Sequence, residues 1–219
     1  MFDGDQKTFL ILGAAVIGFV MITADEVRPR EEVNLAVDVS ALPPLPAVPQ
    51  QLHAPRQTDI PDRTLDLPGG FEATLLHGYV LEGRVVTRRE YRHDPTSDIS
   101  PLDLGIVWGS LSDRTEEFEF RNGQRAVFYT PLPGIELPVD WEQQITNNHL
   151  IPATPEIDSA LMAVELGQRI RVSGYLVEVN AEGLATWRSS TRRDDNTIIG
   201  GCEIILVSNI EIIDESVAM

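Results

Sequence analysis

The chain has 219 residues, which is enough for one sizeable domain with additional segments. Its 34 acidic and 17 basic residues give a formal net charge of −17, and this argues against a nucleic-acid partner because phosphates require a basic surface. A single cysteine, Cys202, excludes an internal disulfide framework and a multi-cysteine zinc site. We expect no metal and no cofactor.

An uncharged, mostly apolar span covers residues 8–24. It reaches the lower limit of about 17 residues for a membrane-crossing helix, so we predict a single transmembrane anchor over residues 1–24 that binds the membrane through residues 8–24. A signal peptide cut after Ala24 is the alternative. Both interpretations export the rest of the chain. We expect a single-pass inner-membrane protein with its folded domain in the periplasm, an orientation inferred mainly from the order of anchor and spacer.

Residues 25–70 contain eight prolines and no stretch with a helical or strand period. This composition predicts a semi-extended, proline-rich tether. Within it, the polyproline-like segment 42–49 either docks into an aromatic groove of a partner or is part of a spacer that holds the domain off the bilayer. We favour the spacer.

The folded domain is predicted over residues 71–219, and it begins with one long strand near residues 73–91. Gly83 and Gly78 inside this run indicate a bend or a bulge. The sequence Ser100-Pro101-Leu102-Asp103 has the form of a helix start, with a serine cap and proline at the first position. Residues 104–108 then continue as a short helix or as a buried strand, because periodicity does not separate the two in so short a run.

The second half of the domain has clearer signals. Alternating segments on both sides of Asn122-Gly123 predict a hairpin with a type I′ turn at this dipeptide. Thr154 and Pro155 predict the start of a helix that Gly167 ends. Residues 169–179 alternate as a half-buried strand does, and the apolar residues 203–213 predict a closing strand.

The predicted order of a long bent strand, a hairpin, one helix and a second hairpin resembles the OB-fold over about residues 73–213. The resemblance implies a mainly β domain, a small OB-like barrel with one short helix between its third and fourth strands. The transmembrane helix and the proline-rich tether would precede it. OB-folds bind oligonucleotides, oligosaccharides and proteins, so this architecture does not choose a function.

Three motifs are spread over the folded domain: Ser100-Pro101-Leu102-Asp103-Leu104 with Trp108-Gly109 and Ser112-Asp113; Asn148-His149-Leu150-Ile151-Pro152-Ala153; and Trp187-Arg188-Ser189-Ser190 with Arg192, Asp194 and Gly201-Cys202-Glu203. Together they resemble an uncharacterised family of exported, membrane-anchored bacterial proteins. The chain departs from that pattern at residues 196–199, where the family has a shorter, glycine-containing loop. The resemblance implies export and anchoring and brings no activity with it.

The loop from Trp187 to Glu203 collects aromatic, charged and hydroxyl side chains, as recognition loops do. The candidate binding residues are Trp108, His149, Trp187, Arg188, Ser189, Ser190, Arg192, Asp194 and Glu203. The arginines and carboxylates of this loop either cradle an anionic ligand or form an ion-pair network that orders the loop. The tryptophans either stack on sugar rings or pack as core and rim residues.

His149 and Cys202 are a candidate catalytic pair, because a neighbouring imidazole lowers the pKa of a thiol and produces the nucleophilic thiolate. Exported cysteine transpeptidases use such a pair, but the arginine expected after their cysteine is Glu203 in this chain. The alternative is that Cys202 is a small residue at a strand start and that His149 is a hydrogen-bonded loop residue. We favour this alternative.

These features predict a membrane-tethered periplasmic interaction module without enzymatic activity. It would be an accessory or assembly subunit of an inner-membrane or envelope complex, with other envelope proteins as partners. One alternative is a Cys/His-dependent acyl-transfer enzyme or hydrolase that acts on peptidoglycan or peptides. The other is an oligosaccharide-binding barrel.

Overall fold

The computed structural model of the chain describes residues 35–193 and 201–213. The strands in these residues are β1 (Arg56–Leu67), β2 (Phe71–Glu90), β3 (Leu102–Val107), β4 (Phe118–Gly123), β5 (Ala126–Pro131), β6 (Ile145–Pro152), β7 (Arg169–Asn180), β8 (Trp187–Arg188) and β9 (Glu203–Ile212). The α-helix among them is α1 (Pro155–Met162), and short 3-10 helices lie at Val39–Ala41, Pro68–Gly70, Gly109–Asp113, Thr115–Glu117 and Trp141–Gln143. The prediction of a mainly β chain with one short helix is confirmed for the described residues.

The predicted membrane anchor, residues 1–24, lies outside the described residues. Among the residues that are described, no helix has the length and apolar character needed to cross a membrane.

Seven strands form one partly closed sheet in the order β1-β2-β3-β6-β9-β7-β8, and β2 also pairs with β7. The strand β2 makes this closure possible because it is 20 residues long and has partners at both ends. Residues 72–84 pair with β7, and residues 84–90 pair with β3. The register shifts near residues 76 and 86, so the predicted long, bent strand is confirmed. The pairing of β6 with β9 is parallel, whereas the other strand pairs are antiparallel.

The main core lies inside the ring of β2, β3, β6, β9 and β7. Each of these strands contributes buried apolar side chains to it, and Leu161 of α1 packs into the same cluster. The outer face of the sheet is covered in two places. The segment that contains Leu35 and Leu42 covers one part, and the β4–β5 hairpin covers the other through Phe118 and Val127.

The predicted tether over residues 25–70 is wrong from residue 35 onward. Leu35, Leu42 and Leu52 are buried, and β1 pairs with β2 along most of its length. Pro61 did not prevent this strand, because it lies where the β1–β2 register is irregular and β1 has no ladder on its other side. Residues 25–34 lie outside the described residues.

The hairpin prediction is confirmed, but its turn is two residues later than predicted. Gly123 pairs with Ala126, so Gln124 and Arg125 form the turn, with φ angles of 52° and 58°. Asn122-Gly123 therefore ends β4. The local preference of this dipeptide is outweighed by long-range contacts of Arg125 that are described with the site.

Other predicted boundaries have mixed outcomes. The helix start at Ser100 is wrong and the buried-strand alternative for the residues after it is confirmed, because residues 102–107 form β3, a strand with every residue buried. The helix start at Thr154 is confirmed, since the threonine hydroxyl accepts a hydrogen bond from the backbone N–H of Ile157. The helix ends at Met162, before Gly167. The predicted strands near residues 169–179 and 203–213 are confirmed as β7 and β9.

Gly83 permits the close approach of β2 and β3, and we expect Gly83→Ala to destabilise the fold. A Cβ atom at this position would lie 2.3 Å from the carbonyl oxygen of Val107, a backbone atom that moves only if the strands shift. Forced overpacking of this kind lowers the free energy of unfolding by about 1–3 kcal/mol. The measurement is urea unfolding of the full chain. Gly123→Ala is the control, because its nearest neighbour would be 3.8 Å away, and an equal loss in both variants would contradict the explanation.

Candidate functional site

The residues Thr146 to His149 of β6 alternate between the two faces of the sheet, as residues of a strand must. His149 is paired with Asp103 of β3 and shares its outer face, whereas Asn148 is paired with Glu203 of β9 and shares the inner face. The predicted site residues are therefore divided into two groups that lie on opposite sides of the same strands.

The outer group is organised around the carboxylate of Asp103, which is 0% exposed. Arg125 donates to its Oδ1 atom at 2.9 Å, and Nδ1 of His149 lies 3.0 Å from the same oxygen. The side-chain amide of Asn147 donates to Oδ2 at 3.2 Å. A buried carboxylate is tolerated when it is paired and hydrogen-bonded, and Asp103 meets both conditions. We call these residues, with Asp94 and Tyr91, the Asp103 network.

Arg125 connects the turn of the hairpin to the rest of this network. Its guanidinium contacts the Asp94 carboxylate through Nη2 at 2.8 Å and Nε at 3.2 Å, and it lies 3.9 Å from the centre of the Tyr91 ring. Its backbone N–H donates to the Tyr91 hydroxyl at 3.1 Å. A left-handed backbone costs a non-glycine residue about 1–2 kcal/mol. These contacts offset that cost, and they explain why the turn is displaced from Asn122-Gly123.

Two pKa shifts describe the charges in the network. Partial burial alone would raise the pKa of Asp94, but hydrogen bonds from Arg125 and Thr96 outweigh it and hold the pKa below its ordinary value. Burial, together with the charge of Asp103, raises the pKa of Tyr91. At neutral pH, Asp94 is therefore ionised and Tyr91 keeps its proton, which is placed to bind the Asn122 side-chain oxygen 3.1 Å away.

His149 is 3% exposed and lies in strand β6, so the interpretation of it as a loop residue is wrong. Its ring centre is 4.9 Å from that of Trp187, and its Nδ1 atom is bonded to Asp103. No hydrogen bond joins this imidazole to Cys202 in the part of the chain that the structure describes. The backbone oxygen of Cys202 accepts a hydrogen bond from the N–H of Ser190. The geometry therefore gives no support to the proposed nucleophile and base, which stays a prediction.

The inner group is organised around Glu203, whose side chain is almost fully buried. Arg193 donates to Glu203 Oε1 at 2.9 Å and to the Tyr79 hydroxyl at 3.3 Å, while the Thr146 hydroxyl is hydrogen-bonded to Glu203 Oε2. Arg193 belongs to the long loop before β9, and the other residues belong to the ring of strands. The ion pair therefore attaches this loop to the ring.

A cleft of about 240 Å³ lies beside Glu203. Its described walls are the end of β3, the start of β6, residues 53–55, and Arg192, Arg193, Gly201 and Glu203. The side chains that matter most for its chemistry are Trp108, Asp140, Thr146, Arg192, Arg193 and Glu203.

The remaining predicted binding residues form hydrogen bonds or ion pairs within the chain, except for one that lies outside the described residues. Arg188 forms a surface ion pair with Glu178, and the Ser189 hydroxyl accepts a hydrogen bond from the N–H of Ile204. The hydroxyl of Ser190 accepts from the N–H of Arg192. These contacts favour the ion-pair and loop-ordering interpretation over an anion cradle. Asp194 lies outside the described residues.

Several residues of the site were missed in the sequence. They are Tyr91, Asp94, Arg125, Thr146 and Asn147, and Asp103 was interpreted only as part of a helix start. Two signals were available, namely a carboxylate inside the apolar strand Leu102–Val107 and four polar residues in a row within β6. No group of three or more metal-ligating side chains lies together among the described residues.

We expect Asp103→Ala to lower the free energy of unfolding by about 3–5 kcal/mol, because removing one partner leaves buried donors and a buried charge uncompensated. Urea unfolding of the full chain measures this loss. Asp94→Ala is the matched control, since that carboxylate binds the same guanidinium but is partly exposed, and we expect a smaller loss. Equal losses in the two variants would contradict the central role of Asp103.

We predict that His149→Gln leaves the rate of Cys202 alkylation by iodoacetamide unchanged, because the imidazole is bonded to Asp103 instead of the thiol. The chain contains one cysteine, so the label reports on this position alone, and Cys202→Ala gives the background. If labelling is lost in His149→Gln while the circular dichroism spectrum is preserved, the acyl-transfer hypothesis gains its missing support.

Comparisons with known proteins identified no relative of the chain. Neither a family model, nor a curated protein, nor a solved structure matches the chain. The chemistry that the site can perform is therefore inferred from its own side chains.

Proposed function

We propose that the chain is a membrane-tethered periplasmic interaction module, an accessory or assembly subunit of an inner-membrane or envelope complex, without catalytic activity of its own. The predicted anchor and export signal support the location. The contacts of the described site support the absence of catalysis, because His149 and Arg125 are held in a network that fixes the fold.

The strand order supports an OB-like barrel as the architecture of the module. The ring runs β2-β3-β6-β9-β7 and returns to β2, and α1 lies between β6 and β7. In OB-folds, partners bind the face of the second and third strands and the loops beside it. The equivalent face here is formed by β3 and β6, and the β4–β5 hairpin covers it. The outer side of the hairpin is therefore the surface available to a partner in this region.

The observation that carries the proposal is the exposed apolar surface of this hairpin. Among the described residues, five large apolar side chains are exposed, and three of them belong to β5 and the segment after it. These are Phe128 at 49%, Leu132 at 38% and Val139 at 86%. The pairing of β4 with β5 continues one residue further, since the N–H of Leu132 donates to the backbone oxygen of Glu117. Phe128 and Leu132 are four residues apart on this extended chain, so their side chains share the outward face of the hairpin. Clustered exposed apolar residues of this kind are typical of protein interfaces.

The Asp103 network makes this surface rigid before any partner binds. The hairpin contacts the barrel through an apolar cluster on its inner face and through Arg125 at its tip. A rigid surface loses less conformational entropy on association than a mobile one. Exposed charges of both signs, Arg121 opposite Phe128 and Glu119 opposite Thr130, lie on this face, so a partner with apolar side chains and mixed charges fits it.

We expect Phe128→Ser to remove partner proteins that co-purify with the full chain after gentle detergent solubilisation, because truncation of a central aromatic residue costs an interface about 2 kcal/mol or more. Size-exclusion chromatography of the tagged protein from its native membrane, with quantitative mass spectrometry, measures the loss.

Leu166→Ser is the matched control, since Leu166 is also exposed, at 63%, but lies after α1. A wild-type chain that elutes as a monodisperse monomer without any partner would contradict the proposal. Equal losses in the two variants would contradict the assignment of the hairpin as the interface.

A further inference from the structure

The outward face of the β4–β5 hairpin has two rows of side chains, one from each strand. The row from β4 contains Arg121 and Glu119, and both side chains are exposed. The row from β5 contains Phe128 and Thr130, which are exposed as well. The strand register pairs Arg121 with Phe128 and Glu119 with Thr130. The first row therefore carries one charge of each sign, whereas the second row is uncharged.

The two charges of the β4 row are unpaired within the described part of the chain. Neither Arg121 nor Glu119 forms an ion pair or a hydrogen bond with a described residue. Glu117, the preceding carboxylate on this side of the hairpin, differs in this respect, because it is paired with Arg114 of its own chain. The exposed guanidinium and carboxylate beside Phe128 are therefore available to the charges of another molecule.

A second copy of the chain carries the complement of this face. Two hairpins can stack face to face about a twofold axis that runs across the strands, between the two cross-strand pairs. Arg121 then lies over Glu119 of the second copy, and symmetry repeats this contact in the opposite direction. Phe128 lies over Thr130 of the second copy, so a large side chain meets a smaller one. The face is thus complementary to itself in both charge and size.

The ends of the β5 row follow the same rule. Ala126 shares the outward face near the turn, and Leu132 shares it at the other end, where its N–H donates to the backbone oxygen of Glu117. The same axis places Leu132 over Ala126 of the second copy. Two apolar contacts of a large with a small side chain, each made twice, therefore flank the axis.

Other twofold arrangements of this face are less favourable. An axis through the Arg121–Phe128 pair places two guanidiniums together, and an axis through the Glu119–Thr130 pair places two carboxylates together, which is repulsive in both cases. An axis along the strands places both charges over the uncharged row of β5, so that Glu119 meets no cation. Of these arrangements, the one with its axis between the pairs is the one that neutralises both charges.

We propose that the outward face of the hairpin binds a second copy of this chain, with Arg121 and Glu119 forming two reciprocal ion pairs beside Phe128. This inference rests on the proposed function, because it names the partner of the same surface. The apolar contacts supply most of the binding free energy, and the ion pairs select the orientation.

The experiment is sedimentation equilibrium of the purified full chain and of two charge-reversal variants, Arg121→Glu and Glu119→Arg. Each variant places like charges together twice in the dimer, so we expect the dissociation constant to rise about 10-fold or more. The two substitutions change the net charge in opposite directions, so an effect of net charge alone would weaken one dimer and strengthen the other. Any result other than weakening in both variants would overturn the proposal.

Glu182→Arg is the matched control for Glu119→Arg. It makes the same change of charge at an exposed position, but in the turn after β7. We expect the dissociation constant of this variant to stay close to that of the unmodified chain. A loss equal to that of Glu119→Arg would overturn the assignment to the hairpin.

A mixture of the two charge-reversal variants tests the geometry directly. Arg121→Glu has two carboxylates in the β4 row and Glu119→Arg has two guanidiniums, so a mixed dimer restores both ion pairs. With an affinity tag on one variant, we expect each variant to bind the other more tightly than it binds itself. The absence of this preference would overturn the reciprocal arrangement.

The unmodified chain separates failure of this inference from failure of the proposed function. A chain that stays monomeric at high micromolar concentration, but retains other proteins that Phe128→Ser removes, would overturn the second copy as the partner and leave the interaction function standing. Self-association that Phe128→Ser does not weaken would overturn the inference, because residues 1–34 are common to both chains and their association would remain. We expect Phe128→Ser to abolish the dimer.

Discussion

The fold of this protein depends on how one buried negative charge is compensated. The carboxylate of Asp103 is inaccessible to water, so its desolvation must be balanced by donors that the chain brings from elsewhere. Those donors come from the hairpin turn, through Arg125, and from β6, through Asn147 and His149. The ion pair with Asp103 thus adds to the other attachments of the hairpin, which are its apolar inner face and the contacts of Arg125 with Asp94 and of Asn122 with Tyr91. This pairing explains the left-handed backbone of Arg125, because the free-energy cost of that conformation is smaller than the cost of leaving the Asp103 carboxylate unpaired.

Because the side chains of β6 alternate between the two faces of the sheet, the same strand contributes to two separate polar regions. Asn147 and His149 stabilise the outer network, while Thr146 contacts Glu203 on the inner side. Substitutions at adjacent positions can therefore have unrelated effects, one on the anchoring of the hairpin and the other on the cleft. The two regions also differ in character. The outer region is closed by its own contacts, whereas a cleft lies beside Glu203 in the inner region.

Elements with strong local signals could be predicted from the sequence. The conformation of such elements is determined by residues close together in the sequence. They are the strands β2, β7 and β9 and the helix capped by Thr154, and their boundaries agree with the predicted ones within a few residues. The errors occur where distant contacts decide the outcome. The turn at Gln124 and Arg125 follows from contacts with β3, and β1 follows from pairing with β2. The candidate residues His149, Trp187, Trp108 and Glu203 were identified individually, but their division between two faces requires the strand register, which one sequence does not contain.

The segment from Leu35 to Leu67 covers apolar residues that belong to the ring of strands. Leu35 and Leu42 pack in the same cluster as Tyr175 and Val177, and the Tyr175 hydroxyl donates to the backbone oxygen of Pro43. A fragment that begins at residue 71, where the composition changes, would uncover this cluster and leave one edge of β2 without its partner, a combination that promotes aggregation. The smallest fragment that retains a closed surface therefore begins at or before residue 35, and the proline-rich segment is a structural part of the folding unit.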